Sequence, residues 1–137
     1  MPEHAEVAPE TVARLRELCL ALPEAYEEDA WTGTRWQIRK KNFAHVVMID
    51  WGWPRAYASA AGTDGPVAVL TFRASGAELA ALANAGPPFF KPVWFPDIVG
   101  LRLGDDTDWT EVAELVVESY CVLAPKKLGE VVRRRAQ

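Results

Sequence analysis

Phe43-Ala44-His45-Val46-Val47-Met48-Ile49-Asp50 is apolar on both of its alternating sets, with Phe43, His45, Val47 and Ile49 on one and Ala44, Val46 and Met48 on the other. Successive side chains of a strand point to opposite sides of a sheet. A strand that is apolar on both sides is central, or lies under helices on one face. The stretches around it also read as strands. Residues 35–38 precede it across Lys40-Lys41-Asn42, which forms a turn. Trp51-Gly52-Trp53-Pro54 interrupts it, since proline removes a ladder donor. Residues 55–60 read as the next strand, Gly62-Thr63-Asp64-Gly65 as a hairpin turn, and residues 67–73 as the returning strand. Residues 98–103 form one more. These connections are too short for helical crossovers, which predicts a mainly antiparallel sheet.

Helices flank these strands. The first is predicted over residues 9–21, with Pro9 in its first turn and Pro23 as its stop. Val12, Leu15, Cys19 and Leu22 form its apolar stripe. Glu27-Glu28-Asp29 reads as a solvated turn. Ser75-Gly76-Ala77-Glu78 has the form of a capping box for a second helix that carries Leu79, Leu82 and Ala83 and ends at Gly86. Residues 87–96 hold four prolines and are predicted to be irregular. Asp108, with Glu111 three residues on, opens the strongest helix, whose stripe is Trp109, Val112, Ala113, Val116, Val117 and Tyr120. Ala124-Pro125 ends it, and residues 126–135 form a short terminal helix. The predicted fold is a single α+β domain with a mainly antiparallel sheet packed against helices.

The chain has 137 residues, the size of one ordinary domain; half are hydrophobic and a quarter charged. That composition excludes a disordered or collagen-like chain. Met1-Pro2-Glu3-His4-Ala5-Glu6 lacks the cationic start of a signal peptide, and no stretch approaches the roughly 18 apolar residues of a membrane span. These features predict a soluble, cytoplasmic protein. Residues 1–8 read as a flexible tail, 9–128 as the domain and 129–137 as a basic tail or short helix. Cys19 and Cys121 form no CxxC and read as free buried thiols. Fifteen basic and nineteen acidic residues give a net charge of −4, but the acids gather early. Residues 1–29 hold eight carboxylates against two arginines. Two basic clusters follow: Arg35, Arg39, Lys40 and Lys41, and then Lys126 and Lys127 with Arg133, Arg134 and Arg135.

Catalytic chemistry is not legible. Nucleophilic catalysis needs a base, and the two histidines are His4, in the tail, and His45, which reads as a satisfied sheet residue. Neither a zinc spacing nor a Gly-rich phosphate loop occurs, so no cofactor, no metal and no enzyme activity is predicted. Trp109 reads as core, while Trp31, Trp36, Trp51, Trp53 and Trp94 read as closing the ends of the sheet and covering its open face. The leading expectation is a non-enzymatic binding protein. Arg35 and Arg39 lie four apart on one strand face, and the hairpin that carries them with Lys40 and Lys41 can follow a phosphate backbone. Lys126 and Lys127 would join these phosphate contacts. The bland counterpart is a charged turn that keeps a strand edge soluble. Two alternatives stand beside it. One is a cation site built from Glu17, Glu24, Glu27, Glu28 and Asp29. The other is a pocket for a small planar ligand beneath the loop from Pro87 to Trp94.

Asp108-Trp109-Thr110-Glu111-Val112-Ala113-Glu114-Leu115, with Ser119-Tyr120 and Ala124-Pro125-Lys126-Lys127-Leu128, resembles the closing signature of the MmcQ/YjbR-like family. The stretch from Trp31 to Lys41-Asn42-Phe43-Ala44 resembles that family's sheet opening, and residues 18–23 the end of its first helix. The resemblance spans residues 10–128. It implies a compact α+β fold similar to frataxin (CyaY-like), with an antiparallel sheet against helices, and it implies a DNA-binding role through a paired-wing shape. Thr32, Gly33 and Thr34 stand where the family carries Gly-His-Pro, and Arg39 and Lys40 replace glycines before the family lysine.

Overall fold

A computed structural model describes residues 5–135; residues 1–4, with His4, and 136–137 lie outside the described residues. In chain order the elements are α1 (Pro9–Leu20), β1 (Tyr26–Asp29), β2 (Thr34–Ile38), β3 (Lys41–Ile49), α2 (Arg55–Ala61), β4 (Val67–Arg73), α3 (Gly76–Ala83), β5 (Phe89–Phe90), β6 (Ile98–Leu103), α4 (Trp109–Leu123) and α5 (Lys126–Arg135). The strands form one six-stranded sheet in the order β1-β2-β3-β4-β6-β5, with every neighbouring pair antiparallel. This is a single α+β domain with the predicted type of sheet.

The sheet is covered on both faces, unequally. On the inner face Trp36, Ala44, Val46, Leu70, Phe72, Val99 and Leu101 pack against Leu15 and Cys19 of α1 and Val112, Leu115, Val116 and Tyr120 of α4. Val7 and Val132 extend this layer, so residue 7 and α5 both belong to the packed domain. On the outer face Val47, Ile49 and Val69 meet Tyr57, Ala58 and Ala61 of α2, with Phe90 and Trp94 alongside. The outer layer covers only part of the sheet. No helix among the described residues is long and apolar enough to cross a membrane. Cys19 and Cys121 are free, and burial pushes the Cys19 thiol well up.

A bulge joins the two layers. Trp36 pairs with Ala44 but Gln37 pairs with Asn42, so Phe43 is the extra residue. Its ring turns to the inner core and meets Tyr120 edge-on, with centroids 5.5 Å apart. The Ser119 hydroxyl stands one step beyond the last β3–β4 pair, Ala44↔Phe72. It accepts the Arg73 amide at 2.7 Å and donates to the Phe43 carbonyl.

Several local readings change. Residues 55–61 are helical, because Ala-rich sequence favours a helix and Tyr57, Ala58 and Ala61 then share one face against the sheet. Gly62 is the left-handed C-cap of that helix (φ 68°), not the start of a hairpin. Glu27-Glu28-Asp29 lies in β1, since nearby Arg16 and Trp36 supply partners for Glu27 and Arg35 supplies one for Glu28. Asp108 caps α4 by accepting the Thr110 and Glu111 amides. Ser75 makes no such bond; Glu78 lies instead in the field of Glu118 and Arg133, with Oε1 buried and unpartnered.

Ser119→Ala leaves a buried amide and a buried carbonyl unpaired. It should cost about 3 kcal/mol in urea unfolding with an unchanged slope; a loss below about 1 kcal/mol would show that water replaces the hydroxyl.

Candidate functional site on the outer face of the sheet

The basic hairpin is present, with a tip different from the expected one. Arg39 and Lys40 form a two-residue turn with both φ positive, 52° and 67°. That is the hand that matches strand twist, usually supplied by Asn-Gly. Its cost here is offset by contacts: the Lys40 amide donates to the Tyr26 hydroxyl at 3.0 Å, and Arg39 pairs with Glu24 at 3.0 Å. Arg35 pairs with Glu28 at 3.3 Å. Carboxylates thus stand against two of the predicted phosphate contacts. Lys40, Lys41, Lys126 and Lys127 are exposed and make no ion pair among the described residues.

The expected cation site is not assembled. Glu27 takes Arg16 in a bidentate pair and accepts the Trp36 indole N–H at 2.9 Å, and the Arg16 guanidinium holds its carboxyl below the usual range. Glu24 and Glu28 bind arginines, and among the described residues no three His, Cys, Asp or Glu side chains converge as metal ligands. The tryptophans divide as well. Trp36 is fully buried and Trp94 covers the outer face, whereas Trp31 and Trp51 are 73% and 85% exposed and close nothing.

The register sets Glu28, Arg35, His45, Thr71 and Gly100 in one row across the sheet. The Phe90 ring lies on Gly100, where a Cβ would clash with it. Gln37, His45 and Thr71, three of the four buried polar side chains among the described residues, belong to this outer face. His45 and Thr71 line a cavity of about 150 Å³, with Asn42 and Arg73 from the strands, Tyr57 from α2, and Trp94 and Phe95 from the Pro-rich loop. Tyr57 and Trp94 rings are 4.5 Å apart. Lys91 fastens the loop by donating to the Pro92 and Phe95 carbonyls.

Hydrogen bonding fixes the protons in this site. The Thr32 carbonyl can only accept, so His45 Nε2 donates to it at 2.9 Å. His45 Nδ1 is then an acceptor, and the Tyr57 hydroxyl donates to it at 3.2 Å, leaving the phenol oxygen able to accept. Burial, helped by the Arg35 charge, lowers the His45 pKa against the opposing pull of Thr32. Arg73 donates to the Asn42 carbonyl and to Asp97 at 2.8 Å, and stacks over Phe95. Asn42 Oδ1 accepts from Gln37, which leaves the Asn42 amide hydrogens for a ligand.

The sequence named His45 and the loop, but not Tyr57, Thr71, Asn42 or Arg73. The readable signal was the recurrence of polar residues at outward positions of strands that are otherwise apolar.

Because folding favours neutral His45, stability should be full above pH about 6.5 and fall as pH drops below it, where the unfolded chain takes the proton first. Glu27, lowered, loses its contribution only at more acid pH. An NMR titration of the His45 ring should give a midpoint below about 6.5; a midpoint at or above that value would refute the bonding assigned here.

The crystal structure of a protein from Pseudomonas syringae is similar in fold, with a TM-score of 0.59 at 12% identity over 82% of this chain and 96% of that one. No curated protein matches the chain. Residues 20–122 match the YjbR family, so the whole sheet, α2, α3 and nearly all of α4 fall inside the matched stretch, and the chain belongs to the YjbR family.

Proposed function

We propose that this chain is a cytoplasmic, non-enzymatic binding protein whose ligand is a small flat molecule held on the outer face of the sheet. One observation carries the reading: an aromatic pair, Tyr57 and Trp94, roofs a patch of buried polar side chains on an otherwise apolar face. Burying polar groups is costly without partners, so polar residues placed around a cavity favour a polar occupant. A cavity of about 150 Å³ suits a single ring, because benzene fills an apolar cavity of about that volume. The free Asn42 amide hydrogens and the outer guanidinium hydrogens of Arg73 favour a carboxylate or carbonyl on that ring. Both ring nitrogens of His45 have partners, which supports binding rather than base catalysis. Free cysteines support the compartment.

The test is thermal unfolding with benzoate and nicotinate. At about one hundred times Kd the ligand should add roughly 2.7 kcal/mol and raise Tm by about 8 °C. Trp94→Ala and Asn42→Ala should abolish the shift, read against each variant's own ligand-free Tm. No shift with either acid at millimolar concentration would remove the proposal.

A second reading is nucleic-acid binding. It is supported by the exposed Lys40, Lys41, Lys126 and Lys127, none of which makes an ion pair among the described residues. Arg35 and Arg39 would contribute once phosphates displaced Glu28 and Glu24. With no base-reading side chain in view, such binding is weakly sequence-specific. Four free lysines set the slope of log K against log salt at about −3.6 on duplex DNA. Lys40→Ala/Lys41→Ala should halve that slope, and affinity that ignores salt would end this reading.

A further inference from the structure

We infer that the outer-face site takes a planar ring with two unlike ends, a carboxylate or carbonyl at one and a hydroxyl or amino donor at the other. This rests on the reading of that face as a site for a small flat ligand and names the class of ligand more closely.

The donors of the cavity gather at one end. Arg73 stands two residues beyond Thr71 on β4, and both line the cavity. Arg73 Nε donates to the Asn42 carbonyl at 3.4 Å, which brings its guanidinium to Asn42. A guanidinium is donors throughout and has no acceptor. The Asn42 carbonyl and Asp97 each take one of these N–H groups, and the outer ones have no partner among the described residues. Gln37 occupies the Asn42 side-chain oxygen at 2.6 Å, so Asn42 too presents amide hydrogens. Asp97 balances the Arg73 charge at 2.8 Å, so this end recognises a ligand oxygen by directed N–H groups.

The acceptors gather over the His45–Thr71 pair of β3 and β4. A hydroxyl has one hydrogen and two lone pairs. The Thr32 carbonyl fixes the His45 tautomer, and His45 Nδ1 therefore takes the hydrogen of the Tyr57 hydroxyl at 3.2 Å. The Thr71 hydroxyl gives its hydrogen to the His45 carbonyl at 3.4 Å. Both oxygens keep lone pairs alone for whatever enters the cavity. Tyr57 and Thr71 are buried, and a buried acceptor left without a donor is costly. A ligand that displaces water from this end must bring a donor of its own. A ring with a carbonyl here would set lone pair against lone pair. The Tyr57 and Trp94 rings cover the apolar middle of such a ligand.

Isothermal titration with 3- and 4-hydroxybenzoate, each against the fluorobenzoate substituted at the same carbon, tests this. Fluorine is close to a hydroxyl in size and has no hydrogen to donate. The better hydroxy acid should bind about tenfold more tightly than its fluoro counterpart. Tyr57→Phe should lower that ratio, and Tyr57→Phe/Thr71→Val should bring it close to one. Arg73→Lys should weaken hydroxy and fluoro acids alike, since both carry the same carboxylate. The comparison of ligands uses the unaltered protein, so it stands whatever the variants do to folding. Fluoro acids that bind as tightly as the hydroxy acids would overturn this inference and leave the small-ligand reading in place. Neither heat nor a shift in Tm with any of the four at millimolar concentration would overturn both.

Discussion

The nine residues of β3 lie between two apolar layers, and that double burial positions the rest of the molecule. Its inner side chains, Ala44 and Val46, meet α1 and α4, and its outer ones, Val47 and Ile49, meet α2. A register slip of one residue would send each set to the wrong layer, so pairing with β2 and β4 is strongly specified. The bulge at Phe43 is where this regularity is broken on purpose. It moves an aromatic ring into the inner core and leaves a gap in the ladder that Ser119 fills from α4. The same fixed register aligns Arg35, His45 and Thr71 across three strands.

Much of this was visible in the sequence wherever local pattern and tertiary burial agree. α1, β3, β4, β6 and α4 have clear periods and clear stops, and their limits come within a few residues of the reading. α2 was not visible as a helix. In seven residues, Arg55 to Ala61, alternation and helical spacing both fit, and the glycine after it serves a hairpin or a C-cap equally. β1 was hidden because three carboxylates in a row read as solvated until the arginines that meet Glu27 and Glu28 are placed. On α4, Leu115 and Ser119 are buried though the predicted stripe passed beside them, since the inner face of the sheet is wider than one helical stripe.

The site was half visible for the same reason. His45 and the aromatic loop each stand out in sequence, but Tyr57 meets His45 only if residues 55–61 are helical. The basic hairpin illustrates the opposite case. Its cations are obvious in sequence, and the acids that oppose Arg35 and Arg39 lie seven and fifteen residues earlier. A charge cluster in one dimension is therefore not yet a field in three. What distinguishes the outer-face cavity is that its polar groups are buried, where each hydrogen bond matters more than on the surface.

The two margins of the sheet also differ from its centre. At one side β1 offers only Tyr-Glu-Glu-Asp, four residues of which three are acidic. At the other, β5 is two residues long, with Pro87 and Pro88 just before it and Pro92 just after. Unpaired backbone at a sheet margin is a template for strand addition by another chain. Here one margin is a four-residue strand of charged side chains, two of them tied to arginines, and the other is two residues long and bounded by prolines. Neither margin therefore presents the long, flat apolar edge on which strand addition depends.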